Sequence, residues 1–223
     1  GIILALLTLS WGCGPTQEYD VVIRGGTLYD GNGGPPVVGD LAISGDSIVA
    51  VGRIGRARGL QEIDATGMAV SPGFINLMSW ATETMIEDGR AMSDILQGVT
   101  LEVMGEGTSM GPIPDSLKDW AESQQGDIKY EIEWTTLGEY LEYLESRGVS
   151  PNVASFVGAT TPRINVLGFE DRAPTPEELE RICDLFSRAG EEAVCVFQPV
   201  SPHPGGPEPP TLEARSLGCS YIG

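Results

Sequence analysis

From residue 71 to residue 192 the chain alternates short apolar runs with stretches of helical spacing, and no other feature restricts its fold as strongly. RAMSDILQ at 90–97 precedes the apolar strand VTLEVM at 99–104. Between Thr136 and Arg147, Leu137, Tyr140, Leu141 and Leu144 recur at helical spacing, and Gly148 stops the run. NVASFVG follows as a strand. Thr175-Pro176-Glu177-Glu178 then opens a helix, with the threonine as N-cap, proline in the first turn and Glu178 in the capping-box position; Leu179, Ile182, Cys183 and Phe186 form its apolar stripe. Strands that alternate with helices imply parallel βαβ units, hence the α/β class.

Residues 19–70 have another character. DVVIRGG, TLYDGNGGPP and DLAISGDSIVAVG are short strands broken by glycine turns, and Gly45-Asp46 supplies the tight turn of a hairpin. This segment reads as a small antiparallel sheet. EIDA and MAVSPGFIN follow, the latter a nearly continuous run of the kind buried on both faces. Gly31-Asn32-Gly33-Gly34 lacks the spacing of a nucleotide loop and runs into prolines, so it reads as a turn. A complete (β/α)₈ barrel takes roughly 250 residues, about twice what the α/β part offers. Residues 71–192 therefore read as either a small open sheet or the first portion of a barrel.

The two ends depart from both patterns. Residues 1–18 form a leader: the apolar run IILALLTL, too short to span a bilayer, is followed by Gly12 and Cys13. It has the length of a signal-peptide hydrophobic region, and a cysteine directly after it resembles a bacterial lipoprotein site. The expectation is export, to the periplasm or as a membrane-anchored lipoprotein lipidated at Cys13, with an ordinary signal peptide or a buried strand as alternatives. Residues 193–223 are rich in proline and glycine and lose all periodicity; a linker, a frame shift and a truncation after Glu192 are the competing readings. Cys183, Cys195 and Cys219 have no motif spacing, and Cys183 reads as a small core hydrophobe.

Charge excludes some functions. The chain carries 32 acidic against 13 basic residues, a net −19, and its only lysines are Lys118 and Lys129, so nucleic acid is not an expected partner. A single histidine, His203 in the tail, makes a histidine-rich metal site arithmetically impossible. Ser79 has no nearby histidine to serve as its base, which disfavours a serine nucleophile. Glu83 and Asp88 read as surface carboxylates. Glu106 follows a buried strand in a Gly-rich loop, where α/β barrels place catalytic groups, and is a candidate ligand or general base against the alternative of a solvated carboxylate.

The run YDVVIRGGTLYDGNGGPPVVGDLAISGDSIVAVGRI, followed by EIDATGMAVSPGFIN, resembles the opening of amidohydrolase-superfamily enzymes in the D-aminoacylase (N-acyl-D-amino-acid deacylase) and dihydroorotase-like branch. The likeness continues through DILQGVTLEVMGEG, LGEYLEYLE, NVASFVGATTPR and PTPEELER, over about residues 19–192. It implies a small β-sandwich segment at 19–70 followed by the first βα units of an incomplete TIM barrel at 71–192, and a hydrolase of non-peptide C–N amide bonds acting on a small-molecule amide. It also implies a divalent metal, zinc, at the strand ends.

The ligands for that metal are missing here. Met78 and Trp80 stand where the family has its His-x-His pair, and Gly107 stands at its cysteine; neither a thioether nor an indole usefully ligates a hard divalent cation. No residue is thus assigned to a metal. Arg163 matches an arginine of the family's GxxTxR pattern, where a fork to a substrate carboxylate competes with a structural Arg–Glu bridge. The alternative to a hydrolase with a degenerate site is an exported, catalytically inactive binding protein that retains the fold.

Overall fold

The computed structural model describes residues 18–192, which divide between Pro72 and Gly73 into two compact units. Cys13, His203, Cys195 and Cys219 lie outside the described residues. No helix among the described residues is long and apolar enough to cross a membrane.

The first unit is a sheet in the order β3-β2-β1-β4, built from β1 (Glu18–Leu28), β2 (Val37–Ser44), β3 (Ser47–Gly52) and β4 (Arg58–Asp64), with β5 (Ala69–Val70) paired to the end of β1. The β2–β3 hairpin turns at Gly45-Asp46 as the dipeptide predicts, with Gly45 at φ +61°. An all-antiparallel sheet was the wrong expectation, however: β1 runs parallel to both β4 and β5. The loop 53–57 makes the crossover that a hairpin would not. Arg24 anchors it, donating to the carbonyls of Gly55 and Ala57 while pairing with Asp40 at 3.3 Å and Glu62 at 3.4 Å. The Gly25 N–H, and then Ile54 N–H and Arg24, hold the Asp40 carboxyl below the usual carboxylate range.

MAVSPGFIN is not one strand. It breaks at Ser71-Pro72-Gly73 into β5 and β6 (Phe74–Ser79), which belong to different sheets. Proline has no N–H for a ladder, so the apolar run could not continue through it. Nor is β6 covered on both faces, since Phe74, Ile75, Leu77 and Met78 are exposed.

The second unit has a parallel sheet, β6-β7-β8, with β7 (Val99–Met104) central and β8 (Asn152–Ser155) beyond it. Helices α1 (Thr82–Glu87) and α2 (Met92–Ile95) connect β6 to β7, and α3 (Asp115–Ser123) and α4 (Leu137–Arg147) connect β7 to β8. Helices α5 (Thr160–Leu167) and α6 (Pro176–Glu192) follow. These are the βαβ units the alternation predicts. Within 90–97 only the four residues of α2 are helical, with Ala91 in a left-handed conformation at the N-cap.

Both longer helices start on reciprocal caps. The Thr136 hydroxyl accepts from Glu139 N–H while Glu139 accepts from Thr136 N–H, and Thr175 and Glu178 repeat the arrangement on α6. The core joins Met85 and Ile86 of α1, Met104 of β7, and Leu137, Tyr140 and Leu144 of α4 around Trp134. Trp134 donates its indole N–H to the Met110 carbonyl and packs 5.1 Å from the Tyr140 ring and 5.0 Å from the Tyr143 ring.

Candidate functional site

Because β6, β7 and β8 run parallel, their C-terminal ends bring residues 78–80, 105–109 and 156–160 to one rim of the sheet. The β7 and β8 ends are locked to each other. Thr160 N–H donates to Gly107 O at 2.9 Å, Ser109 N–H donates to Thr161 Oγ1 at 2.9 Å, and Thr161 Oγ1 donates to Ser109 O at 3.1 Å. A Cβ on Gly158 would lie 2.5 Å from both Gly107 C and Thr108 N, so only glycine permits this approach.

Glu106 sits in that locked loop between Gly105 (φ +86°) and Gly107 (φ +73°). The residue is half-buried, and its Oε2 is sequestered from solvent with no hydrogen-bond partner. A buried carboxylate oxygen without a partner is costly unless something else meets it. Glu102 was not anticipated. It is fully buried in the middle of β7, and both its oxygens lack a partner. These three carboxylate oxygens are the buried side-chain N and O atoms without a partner among the described residues. A charge inside VTLEVM was the available sequence signal, but an apolar run carrying one glutamate reads equally well as a strand with one exposed face.

At the end of β6, Met78 is 57% exposed and Trp80 83%, while Ser79 between them is only 6% exposed. Met78 and Trp80, the latter just beyond the strand, are thus both open to solvent on either side of a buried serine. The register slips here: from Asn76 to Ser79 β6 advances three residues while β7 advances two, from Glu102 to Met104. The Ser79 hydroxyl accepts from Ala81 N–H at 3.2 Å.

Arg163 lies on α5, and its Nη2 donates to the carbonyls of Glu170 at 2.7 Å and Arg172 at 3.0 Å. Among the described residues it forms no ion pair, so the Arg–Glu alternative is not seen, and the guanidinium is tied to the loop before α6. Asp88 pairs with Arg90 at 2.8 Å, which with the Arg90 N–H holds its carboxyl down to about 2. Glu83 accepts from the Tyr130 hydroxyl at 3.2 Å, and burial together with Glu83 pushes that phenol above its ordinary range. Cys183 is half-buried on α6, consistent with the apolar stripe.

The implied zinc does not fit these residues. Met78, Trp80 and Gly107 offer it no nitrogen, oxygen or thiolate donor, and among the described residues no group of three His, Cys, Asp or Glu side chains could hold a metal ion.

No family model matches the chain. It is 31% identical to a D-aminoacylase of Alcaligenes xylosoxydans xylosoxydans over 179 residues, covering 78% of this chain and 36% of that protein. An N-acyl-D-aspartate deacylase of the same organism is 32% identical, with 77% and 34% covered. The chain thus spans about a third of the length of the curated relatives it matches. Among solved structures, the N-acyl-D-glutamate deacylase of Bordetella bronchiseptica, complexed with zinc and a phosphonate mimic of the tetrahedral intermediate, superposes with a TM-score of 0.67 at 27% identity, over 78% of this chain and 37% of that one. A D-aminoacylase with a binuclear metal centre gives 0.66 at 29% identity, with 78% and 37% covered. Over about 78% of its length, this chain is a homologue of the D-aminoacylases and N-acyl-D-amino-acid deacylases of the amidohydrolase superfamily.

Proposed function

We propose that the protein is an amidohydrolase-like hydrolase of non-peptide C–N bonds, acting on small N-acylated molecules in the manner of an N-acyl-D-amino-acid deacylase. Homology along most of the chain carries this reading. Glu106 is the residue to which the chemistry falls. Its carboxylate, carried by the loop at the sheet rim, is the group that would accept the proton of a water attacking the amide carbon and return it to the departing amine. No step is assigned to a metal, because among the described residues no three donors come together to hold one.

A second reading rests on Met78, Trp80 and Gly107: the fold is kept as an exported binding protein for an amide-bearing small molecule, anchored to a membrane through a lipidated Cys13. One pair of measurements separates the two. As a hydrolase, the 223-residue chain releases amine from a panel of N-acetyl-D-amino acids, and Glu106→Gln lowers turnover by about 100-fold or more, the usual worth of a general base. As a binding protein, it shows no turnover and a calorimetric binding isotherm that Glu106→Gln leaves unchanged.

A further inference from the structure

Residues 47–61 reverse the charge of the chain around them. In a sequence of net −19, this stretch holds Arg53, Arg56 and Arg58 and no acidic residue. All three arginines are exposed, while Ile54 and Ala57 between them are half-buried. The loop that carries them is held by Arg24, which donates to Gly55 O and Ala57 O, and by Asp40, which accepts from Ile54 N–H. Arg56 and Arg58 line one recess with Arg24, but Arg24 spends its charge on Asp40 and Glu62. Arg53 and Arg56 make neither a hydrogen bond nor an ion pair with the described residues, and Arg58 reaches Glu62 through its field alone.

The place of this patch in the fold matters as much as its sign. The parallel register of β1 and β4 sets Glu18, where β1 begins, opposite Arg58. Residues 1–17, with the apolar run at 2–9 and Cys13, therefore join the fold at the end of the sheet where β4 starts. Asp20 and Asp46 are engaged on the other side of β1, where Asp20 accepts from Gly45 N–H and Asp46 from the Ser47 hydroxyl. We propose that Arg53, Arg56 and Arg58 form a docking rim for the anionic headgroups of a lipid bilayer, beside the point where a membrane-directed leader meets the fold. This rests on the leader reading of residues 1–18 and adds a second attachment to it. One hydrophobic attachment holds a protein to a bilayer only marginally and reversibly, and a basic patch supplies the second signal. Each cationic side chain close to an anionic surface is worth roughly a fivefold gain in partitioning, so three give on the order of 100-fold. Carboxylates farther from the bilayer than a Debye length, about 8 Å at physiological ionic strength, oppose this only weakly.

The test is flotation of the unprocessed 223-residue chain with vesicles of phosphatidylcholine alone, or of phosphatidylcholine with roughly a quarter phosphatidylglycerol. Both vesicles are expected to bind the chain, the anionic ones more tightly, with a preference that fades as salt rises. Arg53→Gln/Arg56→Gln/Arg58→Gln is expected to lose about 100-fold on anionic vesicles and nothing on neutral ones. Arg90→Gln/Arg181→Gln/Arg188→Gln, the same charge change made in the second unit, is expected to keep the preference. Lysine at 53, 56 and 58 is also expected to keep it, because a bilayer reads charge whereas a site that forks onto one anion needs guanidinium. The proposal is overturned if the native chain does not distinguish the two vesicles, if the glutamine triple variant keeps the preference, or if the control or the lysine variant loses it. Should circular dichroism show the triple variant misfolded, Arg56→Gln alone is expected to lose about fivefold on anionic vesicles, and no loss overturns the proposal. A chain that ignores neutral vesicles yet keeps the anionic preference refutes the leader reading and supports the rim; a chain indifferent to lipid charge does the reverse.

Discussion

Replacing Glu102 with leucine should make the protein more stable, although the residue is fully buried. Its carboxylate sits on the central strand, flanked by Asn76 on β6 and Val153 on β8, and shares a face with Met104, which packs against the helices. Neither oxygen has a hydrogen-bond partner. Leaving buried polar atoms unsatisfied costs about 1–3 kcal/mol, and more for a charged group. Leucine has nearly the same volume, so repacking costs less than about 1.5 kcal/mol. The balance favours the variant by about 1–2 kcal/mol, or roughly 2–8 °C in Tm for a chain of this size. Urea unfolding followed by tryptophan fluorescence should show a higher midpoint with an unchanged m-value, which separates a stability gain from a change in the unfolded state. Met104→Ala on the same face supplies the contrast and should cost about 2–5 kcal/mol. A midpoint that falls for Glu102→Leu would refute the reasoning, because it would mean the carboxylate contributes more to the fold than it costs.

Gly158→Ala should destabilise by about 1–3 kcal/mol, since its Cβ meets backbone atoms of Gly107 and Thr108 that cannot rotate away; thermal denaturation checks this. Thr136→Ala removes one half of the α4 capping box and should cost about 1 kcal/mol by urea titration. Arg172 and the Thr175 N–H hold the Glu178 carboxyl down to about 2. A depressed carboxyl stabilises above its unfolded value and loses that contribution as pH falls. The start of α6 should thus loosen between roughly pH 5 and pH 2, seen as an NMR titration of Glu178 that moves with the helical amides.

The alternation that fixes the α/β class was readable because α4 and α6 each bury one face at helical spacing, while β7 and β8 are short runs between the helical segments, β7 burying three consecutive residues. Helix α3 escaped notice because it begins after Pro114 with no side-chain cap, and α5 because its apolar and polar residues do not segregate to faces. The single strand read across 68–76 failed because hydrophobicity is continuous there while hydrogen bonding is not. At the site, Glu106 was legible as a carboxylate in a glycine loop, but the burial of its Oε2 is a tertiary fact. Glu102 was hidden for the same reason, since burying a charge without a partner breaks the rule by which strands are read. The significance of Met78 and Trp80 came from the family resemblance and from nothing in the residues themselves.

The topology of the first unit also dictates an order of events. β1 is the first of the described strands to be synthesised and lies inside the sheet, yet its neighbour β4 ends at Asp64 and β5 at Val70. At synthesis rates of about 5–20 residues per second, roughly 2–8 s separate the appearance of Leu28 from that of Val70. During that interval one edge of β1 has no partner, and a factor that recognises extended chain has its opportunity there.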